Sequence, residues 1–142
     1  MGRAILAVVS GCVLSVLIVA GVDTLAHMVY PPPAGVDPRD PAAMRTLVAQ
    51  MPAGAFVIIV CGWMLAAGFG AWLATKLSRT SKTWPGYVAG GITFAATAFN
   101  LWAIPHPIWV VAAAVIGIPL ATWAGTRAGQ TVPPTMPAAH AA

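Results

Sequence analysis

Residues 53–75 of the chain read AGAFVIIVCGWMLAAGFGAWLAT, without a charged side chain. At a rise of about 1.5 Å per residue, a helix of this length covers about 34 Å, more than the roughly 30 Å hydrocarbon core of a bilayer. The apolar residues are continuous and do not alternate with a period of two, which favours a helix over a strand of a membrane barrel. The stretch therefore predicts a transmembrane helix.

Three further runs have the same character, at about 4–30, 84–104 and 108–126. The whole chain is 59% apolar and 7% charged, whereas soluble domains carry about 25% charged residues. Lipid is therefore the expected solvent, and helices satisfy their backbone hydrogen bonds internally, as lipid requires. We predict an all-α polytopic membrane protein, a bundle of four transmembrane helices in one domain over 1–127. Its few basic residues are scattered, so no nucleic-acid partner is expected.

A short amphipathic helix is predicted between the first two spans, at about 41–51. The prolines at 31–33 end the first span, because proline supplies no backbone donor. Asp40 followed by Pro41 is typical of a helix N-cap and its first helical residue. Apolar residues then recur at i, i+3, i+4 and i+7, which predicts a helix lying on the membrane surface. These residues are Met44, Leu47, Val48 and Met51. The proline-rich end of the chain, 128–142, is predicted to be a disordered tail.

Orientation follows from the basic residues in the short loops, which are enriched on the cytoplasmic side. With a cytoplasmic N-terminus, five basic residues lie inside and two outside. These are Arg3, Lys76, Arg79, Lys82 and Arg127 inside, and Arg39 and Arg45 outside. The expected location is the bacterial inner (cytoplasmic) membrane, with multiple spans and with both termini in the cytoplasm.

Small residues recur at four-residue spacing in every span, which allows helix backbones to approach closely. They are Ala7, Gly11 and Ser15; Gly62, Ala66 and Gly70; Gly86 and Gly90; and Ala113, Gly117, Ala121 and Gly125. The pattern predicts a compact bundle. It leaves open whether these smooth faces meet within one chain, in a homo-oligomer or against a membrane-protein partner. The two cysteines, Cys12 and Cys61, are expected to be buried packing residues without a disulfide.

The polar residues that carry potential chemistry lie toward one end of the predicted bundle. Asp23 is the only acidic residue within a span, and His27 shares its helix face at i+4. Asn100 lies at a similar depth in the third span, and His106 follows it in the turn between two prolines. The predicted polar cluster comprises Asp23, Thr24, His27, Asn100 and His106, with Thr97 nearby.

Three interpretations of this cluster remain open at the sequence level. It could be a hydrogen-bonded group that only fixes helix pairing, in a protein that is structural or accessory to a partner. Asp23, His27 and His106 could instead ligate a transition metal or a haem, since carboxylate and imidazole suit zinc, copper or iron. A carboxylate beside a histidine within a membrane could also serve a small proton- or cation-coupled transporter acting as an oligomer. A water-filled cavity that reaches Asp23 would favour transport.

Catalysis is not expected, and no catalytic residue is assigned. The sequence has no glutamate, no Gly-rich phosphate loop and no paired carboxylates within its spans. Its activity class is therefore more consistent with a non-enzymatic membrane protein.

Two segments, HMVYPPPAGVDP at 27–38 and NLWAIPHPIW at 100–109, are distinctive. In these segments and in its four-span layout, the chain resembles a group of small uncharacterised four-helix bacterial inner-membrane proteins. The resemblance implies the four-helix membrane architecture and carries no assigned activity or catalytic residue. Both segments include a histidine of the predicted cluster.

Overall fold

The computed structural model describes residues 2–31, 40–78 and 83–130. Within these ranges the chain forms five α-helices and no strand. The helices are α1 Gly2–Val29, α2 Pro41–Gln50, α3 Ala53–Ser78, α4 Trp84–Ala103 and α5 Ile108–Ala128. The four long helices coincide with the four predicted spans to within a few residues. The all-α prediction is confirmed, and α2 lies where the short amphipathic helix was expected.

The beginning of α2 confirms the predicted cap. Asp40 has an extended backbone, and its carboxylate accepts a hydrogen bond of 2.9 Å from the backbone N–H of Ala42. Pro41 follows in the first turn, where a missing N–H costs nothing. At the other end of the chain, α5 extends to Ala128, the first residue of the predicted tail. The rest of the predicted disordered tail, from 131 onward, lies outside the described residues.

The long helices alternate in direction. Gly11 of α1 lies against Gly70 and Ala74 of α3, whereas Gly62, nearer the start of α3, lies against Val22. The two helices are therefore antiparallel, and Arg3 donates a hydrogen bond of 3.3 Å to the backbone oxygen of Leu77. The beginning of α4 lies beside the ends of both α3 and α5, since Gly86 faces Thr75 and Thr126. Consequently α4 is antiparallel to α3 and α5, and these two run parallel to each other.

This topology gives the bundle two chemically different ends. The basic end carries Arg3, Lys76 and Arg127, where α1 and α4 begin and where α3 and α5 finish. The histidine end carries His27 and His106, where α1 and α4 finish.

Close helix contacts are made through the predicted small residues. A Cβ added at Gly11 would lie 2.5 Å from the backbone oxygen of Gly70 and 2.9 Å from the Cβ of Ala74. Ser15 is buried at this interface and donates a 2.8 Å hydrogen bond to the backbone oxygen of Ala66. Polar bonds and close approach between small residues are the main forces that pair helices in lipid. The smooth faces of α1 and α3 therefore meet within one chain.

The apolar core is formed mainly by α3 and α5. Large side chains fill the space toward the histidine end, and small ones let the backbones converge toward the basic end. The buried core cluster consists of Phe56, Val60, Trp63, Ala67, Val110, Ala114 and Ile118. Both α3 and α4 contact the other three long helices, but the contacts of α3 are more extensive, so α3 is the central helix of the bundle.

Among the described residues, three helices are long and apolar enough to cross a membrane, namely α1, α3 and α5. The helix α4 has 20 residues but is not among them. The prediction of four transmembrane helices is therefore confirmed in length and apolarity for three of them and not for α4. The physical reason lies in its composition, because Gly86, Gly90, Thr93, Thr97 and Asn100 replace larger apolar residues. Uncharged residues and sufficient length were not enough to make α4 as apolar as its neighbours.

Candidate functional site

A cavity of about 530 Å³ lies between α1 and α4. Its back wall is formed by α3, and α2 covers it near the histidine end. Most of the wall is apolar, and the volume falls within the range of about 300–1,000 Å³ typical of small-molecule sites. The two helices that form it touch closely only where small residues meet, as at Gly11 and Ala89, which leaves space between them farther along.

The cavity is elongated along α1. Its lining extends along this helix from Cys12 to His27, a distance of about 22 Å at the helical rise. Such a shape suits a chain-like ligand better than a compact one.

One long side of the cavity opens toward the outside of the bundle. Its rim includes Val16 and Ala20 from α1 and Ile92 and Ala96 from α4, and all four are exposed. Val16 is 67% exposed and Ile92 49% exposed. Both belong to the broad apolar surface that covers the long helices. The mouth is therefore bordered by apolar side chains, with the polar groups set deeper or toward the histidine end.

Four members of the predicted polar cluster line this one cavity, namely Asp23, His27, Asn100 and His106. Thr97 lines it as well, and its hydroxyl donates a 3.0 Å hydrogen bond to the backbone oxygen of Thr93. Thr24 does not belong to the cavity wall. Its side chain is exposed, and its hydroxyl donates to the backbone oxygen of Ala20 at 2.7 Å. The structure thus brings together the predicted residues of α1 and α4, apart from Thr24.

Backbone hydrogen bonds indicate that Nδ1 carries a proton in both histidine rings. The Nδ1 atom of His27 lies 2.7 Å from the backbone oxygen of Asp23, and that of His106 lies 2.7 Å from the backbone oxygen of Ile104. A carbonyl oxygen only accepts, so each Nδ1 must carry the proton. In the neutral ring the Nε2 atom then has a free lone pair. Each histidine consequently offers one hydrogen-bond acceptor that the backbone does not use.

The other two polar groups at this end also retain unused capacity. Among the described residues, no donor is hydrogen-bonded to the half-buried Asp23 carboxylate, because His27 bonds to the backbone of Asp23 instead. The side-chain amide of half-buried Asn100 likewise has no hydrogen-bond partner within the described part of the chain. Only the backbone oxygen of Asn100 is bonded across the end of the helix, to the backbone N–H of Ile104. Because neither side chain is fully buried, both can still bond to a group that enters the cavity. Together these groups form an unsaturated polar end to an otherwise apolar cavity.

The predicted metal ligands line the cavity without forming a metal-binding group. Within the described ranges, no three His, Cys, Asp or Glu side chains are grouped closely enough to hold an ion. The geometry therefore adds no support to a zinc, copper, iron or haem site at Asp23, His27 and His106, and that assignment stays a prediction.

The amphipathic helix α2 turns its apolar face toward the cavity. All four predicted apolar positions line it, namely Met44, Leu47, Val48 and Met51. Val48 and Met51 also pack against the core cluster. The sequence pattern identified this apolar face correctly, but it was expected to lie against the membrane surface. In the structure this face covers the cavity.

Two aromatic residues that the sequence did not single out fix the position of His106. Its ring packs edge-on against Phe56, with a centroid distance of 6.1 Å, and against Trp63 at 5.8 Å. Phe56 and Trp63 are seven residues apart on α3, hence on one helix face. That spacing is the only sequence signal for them, and it is common in any apolar helix. Cys12, expected to be buried, is half-buried in the cavity wall, and Cys61 is exposed; both are free thiols.

Comparisons of the chain with protein-family models, with curated protein sequences and with solved structures gave no significant match. The resemblance of the segments at 27–38 and 100–109 to small bacterial inner-membrane proteins therefore stays a prediction.

Proposed function

We propose that the chain is a bacterial inner-membrane protein with four spans and with both termini in the cytoplasm. The parallel course of α3 and α5 supports the fourth span. If both cross the bilayer in the same direction, the chain between them must cross back, and α4 is that connection. Its 20 residues cover about 30 Å. The positions of Arg3, Lys76 and Arg127 at one end support a cytoplasmic basic end.

The modest apolarity of α4 agrees with this arrangement. Thr93, Thr97 and Asn100 face the cavity and not the outer surface of the bundle, and none of them is exposed. Within a membrane, polar residues are tolerated where they face the bundle interior or a cavity. A helix that lines such a cavity can cross the bilayer with fewer apolar residues than α1, which is largely exposed.

We further propose that the protein binds a single-chain amphiphile taken from the surrounding bilayer. The observation that carries this proposal is the shape and polarity of the cavity between α1 and α4. The cavity is elongated along α1, has an apolar mouth on the outside of the bundle, and ends in polar groups with unused hydrogen-bonding capacity. The chain of the ligand would lie between Val16 and Ile92, with its head group near Asp23.

Of the three interpretations drawn from the sequence, transport agrees best with this function. A cluster that only fixes helix pairing would satisfy its polar groups internally, yet Asp23 and Asn100 have no side-chain partner among the described residues. A cavity that reaches Asp23 instead favours a ligand-handling role. Ligand binding is also the first step of transport, which in a chain this small would require a homo-oligomer or a partner.

Native mass spectrometry with hexadecanol, a neutral alcohol with one long chain, tests chain binding. We expect hexadecanol to bind wild-type protein released from lipid nanodiscs, and Ala96→Trp to abolish binding by filling the mouth. Ala98→Trp is the matched control, because Ala98 is exposed on the same helix and does not line the cavity. Equal hexadecanol binding in all three proteins, or none in the wild type, would contradict the proposal.

A further inference from the structure

The charge of the cavity wall determines which head groups it can accept. Asp23 is the one acidic side chain in the wall, and neither lysine nor arginine lines it within the described ranges. The described basic residues lie elsewhere. Arg3, Lys76 and Arg127 are at the basic end, and Arg45 is on the exposed side of α2. Among the described residues, the polar end therefore combines one carboxylate with two histidines and has no lysine or arginine to pair with an anion.

The hydrogen-bonding groups at this end are mostly acceptors. The Asp23 carboxylate accepts only, and the rings of His27 and His106, in their neutral form, each present Nε2 as an acceptor. The amide of Asn100 supplies one acceptor oxygen, and its N–H groups are the donors of these four side chains that no backbone oxygen already accepts. A primary ammonium group carries three donors and no acceptor, so it complements this arrangement.

We infer that the ligand of the cavity is a cationic amphiphile, with one alkyl chain and an ammonium head that pairs with Asp23. This inference rests on the proposed function, because it specifies the ligand of the same cavity. The surroundings strengthen the pairing, since a charge–charge interaction grows as the effective dielectric constant falls away from water. The head would sit beside the carboxylate, within reach of the imidazole acceptors. An anionic head would find only the Asn100 amide and would be repelled by Asp23.

A set of three ligands that share one chain tests the head-group preference. Hexadecylamine, hexadecanol and hexadecyl sulfate differ in head-group charge, and their bound fractions can be compared at equal concentration by native mass spectrometry. For the wild type we expect hexadecylamine to bind on the order of tenfold more tightly than hexadecanol. Hexadecyl sulfate is expected to bind more weakly than hexadecanol.

Two variants locate the origin of the preference. Asp23→Asn keeps the size of the side chain but removes its charge, so the ratio of amine to alcohol binding should fall to about one. Asp40→Asn is the matched control, because Asp40 is an exposed N-cap of α2 outside the cavity and asparagine caps helices equally well. This variant should keep the wild-type ratio.

The outcomes separate the inference from the proposed function. Equal binding of amine and alcohol by the wild type, a preference for the sulfate, or an amine preference that persists in Asp23→Asn would each overturn the cationic ligand. Hexadecanol binding that remains sensitive to Ala96→Trp would in that case leave amphiphile binding intact. The ranking in wild-type protein decides the question even if Asp23→Asn fails to fold.

Discussion

Gly11 lies where α1 approaches α3 most closely, and the space there is closed on several sides. Its neighbours are the backbone of Gly70 and the Cβ atoms of Ala74 and Ala89. None of these groups can rotate away, because they are backbone or methyl groups fixed to it. Gly21 of the same helix is different, since nothing lies within 4 Å of the Cβ it would carry.

Replacement of Gly11 by leucine should therefore separate α1 from α3. We expect Gly11→Leu to lower the free energy of unfolding by about 1–3 kcal/mol or more, as overpacking does in a well-packed interior. Thermal unfolding in detergent, followed by circular dichroism, measures the effect. Gly21→Leu is the control and should leave the transition unchanged. Equal stability of the two variants would mean that the contact at Gly11 does not hold the helices together.

The sequence identified the carboxylate, both histidines and Asn100 of the cavity wall, but not the full environment of any of them. Asp23 and Asn100 could be paired because their distances from the ends of their helices are similar, and His27 follows Asp23 by one turn. Thr24 was misplaced because one residue along a helix is a rotation of about 100°, enough to turn it outward. Phe56 and Trp63 could not be assigned to His106, because an apolar helix offers many such positions.

The amphipathic helix α2 is attached to the bundle mainly through its side chains. It has no close backbone packing against another described helix, and its contacts come from the apolar face over the cavity. Its sequence was sufficient to predict its limits, its cap and its apolar face. The partner of that face was not predictable, because a lipid surface and a protein cavity select the same apolar spacing.

A charge on the apolar face of α2 should release the helix. We expect Leu47→Asp to speed hydrogen exchange over 41–50, because Leu47 lines the cavity and its burial contributes about 1 kcal/mol. Hydrogen-exchange mass spectrometry of the peptide measures the change. Ala49→Asp adds the same charge in the same turn on the exposed face and should have little effect. If both variants exchange at the wild-type rate, the apolar face does not hold α2 in place.

At the scale of the molecule, the order of helix directions depends on contacts that are distant in sequence. Four apolar segments with short connections already favour neighbours that alternate in direction. That α3 is central, and that α1 and α4 separate to leave a cavity, could not be derived from the segments alone. Both depend on which small faces pair, and every long helix of this chain has such a face. Pattern therefore predicted the elements, and packing decided their arrangement.

Reporter fusions test whether α4 crosses the membrane. Alkaline phosphatase is active only outside the cytoplasm, so we expect an active fusion after Pro107 and an inactive one after Ser78. Fusions after Asp40 and after Gln130 should be active and inactive, respectively, since they lie beyond the first and fourth spans. An inactive fusion after Pro107, together with a stable fusion protein, would show that α4 remains on the cytoplasmic side.

The depth of Asp23 has an electrical consequence. Asp23 lies six residues before the end of α1, which places it about 9 Å along the helix, or about a third of the way across the hydrocarbon core. A cationic head that moves from the outer surface to this carboxylate therefore crosses about a third of the transmembrane field. The full field is worth about 2.3 kcal/mol per charge for each 100 mV, so a potential of about 100 mV, negative inside, would favour binding by about 0.7 kcal/mol. Occupancy of the cavity would then depend on the energisation of the membrane, and a collapse of the potential would release part of the bound ligand.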